Sequence, residues 1–318
     1  MRSRDLALLV ALAAMWGAAY TFTKVAVAGV SPAFLGASRL LIAVLVLLAA
    51  WPLLGRLAGA GTASIGEMGS FGLREVLARW RSFAVLGATN AAVPYVSIAW
   101  GTQYLPSGVA AILNGSVPLF TTVFAALPFF AERRLGPVGI AGILSGLVGV
   151  SLIVGGDYGA EATARQTLYG AGAVLVGSSG YALGGLYARR ALAGVPTAVN
   201  ALGQNVAALV LVLPFAALTL PAAPPDARTV SALVLLGTVG TGLAAIVFFT
   251  LLDRVGATRT STVAYLVPVA ALVYGILFLG EPLMIRALGG LALILAGVVG
   301  VSGAFPRRSG DRKAPSAR

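Results

Sequence analysis

The chain of 318 residues has no cysteine and no histidine, and only 10% of its residues are charged. Without Cys there is no disulfide and no thiol nucleophile. Without His there is no imidazole base, and the two absences together remove the usual zinc ligands. Neither a metal nor a cofactor is expected. The shortage of charge excludes an ordinary soluble enzyme, in which about a quarter of residues are charged. What is abundant is apolar: 58% of residues are hydrophobic, mean hydropathy is +0.94, and 41 are glycine. Small residues let helices approach closely in lipid, where apolar side chains alone give little drive to associate. The chain therefore reads as an all-α integral membrane protein surrounded by a lipid bilayer, with no oligomer required to complete it.

A transmembrane helix needs ~20 apolar residues. Apolar runs separated by charges and turn residues predict ten spans: 6–28, 33–54, 82–103, 107–130, 137–155, 168–188, 197–219, 230–252, 257–280 and 286–305. Met1 to Ala19 has the outline of a signal peptide, but the apolar run continues to Ala28 and is long enough to span. The formal charge of +12 invites a nucleic-acid reading, yet the basic residues punctuate apolar runs instead of clustering on one solvated face. No nucleic acid is expected, and the charges become a topology signal. With the N-terminus inside, the inner segments hold Arg2, Arg4, Arg56, Arg74, Arg79, Arg81, Arg133, Arg134, Arg189, Arg190, Arg254, Arg259, Arg307, Arg308, Arg312, Lys313 and Arg318, which are 17 of the 22 basic residues. The outer loops hold 3, namely Arg165, Arg228 and Arg286. That asymmetry places both termini in the cytoplasm.

The chain also reads as two related halves. Trp16, Lys24 and Pro32 recur as Tyr181, Arg189 and Pro196 at offsets of 165, 165 and 164, and Pro118 and Glu132 recur as Pro268 and Glu281 at offsets of 150 and 149. The offset changes because the long loop Gly55 to Arg81 has only a short counterpart at Leu220 to Thr229. Each half has five helices, an odd number, so the second half enters the membrane in the opposite orientation. This is the inverted-repeat architecture of secondary transporters, with a site near the midplane between halves. The expected organisation is a first repeat at 1–156, an inverted second at 157–305, and a basic cytoplasmic tail at 306–318. Leu73 to Trp80 within the long loop reads as a short interfacial helix, and the tail as disordered.

At these residues the sequence resembles the EamA type of the drug/metabolite transporter superfamily. The resemblance rests on Met15-Trp16-Gly17, Pro32 to Arg39, Leu105 to Pro118, Glu132 with the Gly-rich span after it, Val255 to Pro268, Gly280-Glu281-Pro282, and the glycines Gly289, Gly297 and Gly300. It covers nearly the whole chain, and the aromatic amino-acid exporters of bacterial inner membranes are the nearest members in kind. The resemblance implies a multi-pass exporter of small metabolites in a bacterial inner membrane.

Depth in the spans selects Trp16, Asn90, Asn114, Tyr181, Gln204, Asn205, Thr241 and Tyr265 as a mid-membrane polar and aromatic set. Hydrocarbon offers no hydrogen-bond partner, so each must find one inside. Two readings stand: a substrate cavity, or interhelical contacts worth ~0.6 kcal/mol each. Trp16 and Tyr181, equivalent in the repeat, are expected to face one another across the pseudo-twofold axis. Arg39 lies about seven residues into the second span, ~10 Å deep. An intramembrane charge is expensive and by default functional. Its guanidinium suits a carboxylate through two parallel hydrogen bonds, or else it caps helix carbonyls or snorkels to the interface. Lys24, nearer its helix end, reads as a snorkelling anchor.

All ten acidic residues map to helix ends, loops or tails. With no embedded carboxylate and no His, a cationic drug and strong proton coupling are both disfavoured, and a neutral zwitterion fits better. Gly115, Pro118 and Pro268 are hinge candidates for alternating access. The substrate expected is a neutral or aromatic amino acid; other small molecules, such as drugs or nucleotide or sugar derivatives, are the alternative. A membrane-embedded enzyme is the reading from another class, and no catalytic set supports it.

Overall fold

The computed structural model describes residues 2–51, 74–130, 136–155 and 163–302, with the side chains at 253, 257 and 258 outside the description. The expected Glu132, most of the long loop and the basic tail lie outside the described residues.

Among those residues the chain is helical, with no strand. The helices are α1 (Ser3–Ala26), α2 (Pro32–Ala49), α3 (Trp80–Gly101), α4 (Ser107–Ala126), α5 (Pro137–Val154), α6 (Ala164–Ala191) and α7 (Thr197–Leu218). They continue with α8, built of Ala227–Gly237, Thr238–Leu243 and Ala244–Val255, then α9 (Val263–Leu279) and α10 (Ile285–Ser302). Seven of these, α1 to α5, α7 and α8, are long and apolar enough to cross a membrane, and α9 and α10 are shorter apolar helices. The less apolar α6 carries Arg165, Arg189 and Arg190 at its ends.

Local chemistry sets the starts. The Ser31 hydroxyl accepts from the Phe34 amide ahead of Pro32, and Thr163 with Gln166 forms a reciprocal capping box. Asp226 accepts from the Thr229 amide at the start of α8, and the Thr229 side chain together with that amide holds its carboxyl below the ordinary 3.8. Helix α9 ends at Gly280, whose φ of +66° is the left-handed conformation that glycine takes without strain.

The exterior is inverted relative to a water-soluble protein. Leu41, Leu45 and Leu48 of α2, Leu144, Leu147 and Val148 of α5, and Val210, Leu213 and Phe215 of α7 are all exposed. Inside, helices approach through small residues. A Cβ on Gly142 would lie 2.7 Å from the Gly297 carbonyl, and one on Gly149 would lie 2.8 Å from the Gly290 carbonyl, so α5 and α10 meet backbone to backbone. Ser145 adds a hydrogen bond to the Leu293 carbonyl across the same seam. On α6, Gly180 and Gly184 rest on Thr89, Asn90 and Pro94 of α3.

Helix α1 packs on α8 and α9, and α6 packs on α3 and α4. Helix α2 lies against α7 and α8, while α7 lies against α2 and α3. Both α3 and α8 widen into a π segment, Ala88–Ala92 and Thr238–Leu243, each directly after a glycine, Gly87 or Gly237. Helix α4 breaks at Gly115-Ser116, and Pro118 sits in the first turn of the resumed helix Val117–Ala126. Pro268 lies inside α9, whose helical run is uninterrupted.

Of two charged residues near helix ends, Asp5 keeps its expected place and Lys24 differs from expectation. Helix α1 starts at Ser3, earlier than the apolar run implies, so Asp5 falls in its first turn, where it is buried and accepts a 2.8 Å hydrogen bond from Arg254 Nε. The Lys24 ammonium donates to the Thr102 and Leu105 carbonyls at 2.8 and 3.0 Å. It ties α1 to the turn between α3 and α4 instead of snorkelling toward the interface.

Candidate substrate site

Helices α2, α3, α7 and α8 bring four of the polar residues together in two matched pairs. Arg39 Nε donates to Thr241 Oγ1 at 2.7 Å, joining α2 to α8. Asn90 Nδ2 donates to Gln204 Oε1 at 2.8 Å, joining α3 to α7. Arg39 and Gln204 stand 165 positions apart, the same offset that relates Trp16 to Tyr181. Each pair is seated by a glycine: a Cβ on Gly237 would lie 3.2 Å from the Arg39 carbonyl, and one on Gly87 would lie 2.9 Å from the Gln204 carbonyl. Close approach at each glycine lets the π segment just beyond it reach across to the partner side chain.

The Arg39 guanidinium carbon lies 3.8 Å from the Tyr95 ring centroid, and Tyr95 meets Tyr181 edge-on with ring centroids 6.5 Å apart. The face of a ring attracts a cation, more strongly where water is scarce. The charge thus rests on aromatic surface, with no carboxylate paired to it among the described residues. Tyr20 of α1 is buried against α4, and Asn114 Oδ1 of α4 accepts from Ser178 of α6 at 3.0 Å. Arg39, Asn90, Asn114, Tyr181 and Gln204 are all half-buried in the middle of the bundle.

Other expected residues are placed elsewhere. Trp16 packs on Phe248 of α8 with centroids 5.7 Å apart, in a cluster formed by α1, α8 and α9. Tyr181 belongs with Tyr95, so the structure does not bring Trp16 and Tyr181 face to face. Tyr265 packs, half-buried, against the cluster of α1, α3, α4, α5, α6, α9 and α10 that holds Tyr20 and that Tyr181 also touches. Asn205 is buried and donates to the Ala201 carbonyl of its own helix. Sequence reasoning missed Tyr20 and Tyr95. Tyr20 stands one helical turn beyond Trp16, and Tyr95 is hidden behind Pro94; helical spacing from Trp16 and Asn90 is the signal that points to them.

Toward the Lys24 end of the bundle a cavity of about 1250 Å³ is lined by Lys24, Gln103, Tyr104, Asp226, Arg228 and Glu281, among others. Its wall is pinned by Glu281. The carboxylate accepts from the Ser107 amide at 2.6 Å, the Ser107 hydroxyl at 2.9 Å and the Gly108 amide at 3.2 Å. A carboxylate at the first turn of α4 satisfies donors that have no partner within the helix and meets the positive end of its dipole.

Helices long and apolar enough to cross a membrane, with apolar side chains turned outward and a cation held among them, define a multi-pass membrane protein. Comparison with known proteins adds the family. The EamA-like transporter family matches residues 5–155 and again residues 168–303. The chain belongs to the EamA-like transporter family. It is 30% identical over 293 residues, covering 92% of this chain and 91% of the other, to a protein of Streptantibioticus cattleyicolor named "Probable terminal-alkyne amino-acid exporter". It is 31% identical over 185 residues, 57% of each chain, to an uncharacterized inner membrane transporter of Escherichia coli K12, YedA. A crystal structure shares the fold at TM-score 0.61 and 22% identity, over 95% of this chain and 97% of that chain.

Proposed function

We propose that the protein exports small metabolites, foremost neutral and aromatic amino acids, by alternating access and without strong proton coupling. It sits in a bacterial inner membrane with both termini in the cytoplasm. Its ten helices cross as two inverted five-helix repeats, 1–156 and 157–305, followed by the tail 306–318. The helix contacts support the repeat, because renumbering each helix by five exchanges α1–α8 with α6–α3, α1–α9 with α6–α4, and α2–α8 with α7–α3. The twofold family match and the paired π segments support it too.

The observation that carries the substrate reading is Arg39, a half-buried cation held by Thr241 and Tyr95 with no carboxylate beside it among the described residues. Its terminal nitrogens suit a substrate carboxylate. Tyr20, Tyr95 and Tyr181 offer aromatic surface, while Asn90, Asn114 and Gln204 offer uncharged donors and acceptors. A substrate ammonium finds amide oxygens and ring faces there. The cargo printed in the name of the S. cattleyicolor relative is an amino acid, which is in keeping with this chemistry. Asp5 and Glu281 are both engaged in hydrogen bonds, which favours facilitated movement over a proton-driven cycle.

Purified protein in liposomes should move labelled Phe and Trp down their gradients in preference to Lys and Glu, with little response to an imposed pH gradient. Arg39→Ala should abolish most of that movement while leaving expression intact, and Arg39→Lys should restore only part, since a point charge lacks the planar fork. Equal transport of Lys, or none of Phe and Trp, overturns the substrate assignment. Uphill accumulation driven by pH alone overturns the uncoupled mechanism.

A further inference from the structure

We infer that Thr241 and Tyr95 are positioning residues that fix Arg39 as an end-on carboxylate receptor, an inference resting on the amino-acid reading above. Thr241 Oγ1 donates its single proton to the Leu236 carbonyl at 3.1 Å, five residues back along α8. That carbonyl belongs to the turn entering the π segment, where the regular ladder of α-helical hydrogen bonds is broken. With its proton committed, the hydroxyl oxygen faces Arg39 as an acceptor only. It takes the Nε proton at 2.7 Å. A hydroxyl already donating is also a better acceptor, because hydrogen bonds in a chain polarise one another.

The two contacts leave one part of the guanidinium available. Nε is used by Thr241, and one flat face is covered by the Tyr95 ring at 3.8 Å. An arginine has five N–H donors in a fixed plane. Four of them, on the two terminal nitrogens, form the edge that takes a carboxylate through parallel hydrogen bonds, and no described residue is hydrogen-bonded to them. Tyr95 lies against the guanidinium and Tyr181 meets Tyr95 edge-on, so a carboxylate on the terminal nitrogens is bound with this aromatic pair beside it. The equivalent position in the second half holds the neutral Gln204, oriented by Asn90 from the equivalent π segment. Repeat symmetry therefore supplies two similarly mounted side chains of which only one is charged. The anion is received on the first-half side.

The test compares phenylalanine with phenylalaninamide, which keeps the ring and the ammonium but has no carboxylate. Counterflow in liposomes should show Thr241→Val raising KM for phenylalanine about tenfold, roughly the loss of one hydrogen bond to a charged group, with Vmax little changed. Thr241→Ser, which keeps the hydroxyl, should restore KM. Tyr95→Leu should act like Thr241→Val, and Tyr95→Phe should retain the ring face and most of the affinity. Thr241→Val should leave the handling of phenylalaninamide unchanged. Equal effects on the two compounds, or no effect of Thr241→Val, overturn the proposal. A second measurement separates it from the amino-acid reading: thermal stabilisation of the detergent-purified protein by phenylacetate. If wild type moves no phenylalanine yet phenylacetate stabilises it in a Thr241-dependent way, the receptor stands and the amino-acid reading falls. No stabilisation by phenylacetate in a protein that also moves no phenylalanine overturns the receptor as well.

Discussion

Glu281→Ala should lower stability by about 2–4 kcal/mol. Three hydrogen bonds to the carboxylate are lost, two of them from backbone amides at the start of α4, and Ser107 is fully buried. Hydrogen bonds to a charged group contribute ~1.5–3 kcal/mol each, and a carboxylate at a helix N-terminus adds ~0.3–1 kcal/mol. Water from the adjoining cavity replaces part of this, because Glu281 is only half-buried. For a chain of this size the melting temperature should fall by roughly 4–8 °C, read by tryptophan fluorescence in detergent. Glu281→Gln should fall between, since its amide keeps one acceptor oxygen and turns two donors toward other donors. Gly275→Ala supplies an independent check: its Cβ would collide with Glu281 Oε2 and lie 2.9 Å from the Ser107 hydroxyl. It should reproduce the loss alone but add little to Glu281→Ala, because both act on one contact. Full additivity of the two, or a Glu281→Ala protein that melts with wild type, would refute the capping argument.

Gly297→Ala should destabilise by an amount near the upper end of the ~1–3 kcal/mol typical of overpacking, because its Cβ collides with the Gly142 carbonyl; Gly172→Ala, whose Cβ meets nothing within 4 Å, should be neutral or stabilising in the same melting assay. Arg254→Met should cost more than Asp5→Asn, since the first strands a buried carboxylate and the second leaves an arginine whose side chain is 34% exposed. The double variant should melt close to Asp5→Asn alone. A C-terminal green fluorescent protein fusion should fluoresce while a C-terminal alkaline phosphatase fusion stays inactive; active phosphatase without fluorescence would defeat the proposed topology.

Helix positions were largely legible in the sequence because apolar runs and their charged ends are set by the thickness of a bilayer. Ends were not. Helix α4 stops at Ala126 although apolar residues run on to Phe130, and α6 extends to Ala164 on the strength of the Thr163 cap, which an apolar-run reading overlooks. Of the site, Arg39 was legible since a charge in mid-span stands out on any hydropathy reading. Its holders were not: Tyr95 is one aromatic among many, and Thr241 matters through a π segment, Thr-Val-Gly-Thr-Gly-Leu, whose composition is ordinary for a membrane helix. Depth along a span likewise cannot tell direction around it. Trp16 and Tyr20 are one turn apart on α1, yet Trp16 meets Phe248 and Tyr20 is buried in the separate cluster around α4.

The glycine seam between α5 and α10 bears on how the protein is made. Only 22% of the apolar window of α5 is buried, and the glycine edge by which it joins the bundle is built to receive α10. Roughly 130 residues separate Val154 from Ile285, which a ribosome adding ~5–20 residues per second takes on the order of ten seconds to supply. Through that interval α5 waits in the bilayer with its backbone edge unmatched, a ready surface for another nascent chain or for an assembly factor. Each copy thus passes through a stage at which α5 has been made and the helix that fits its glycine edge has not.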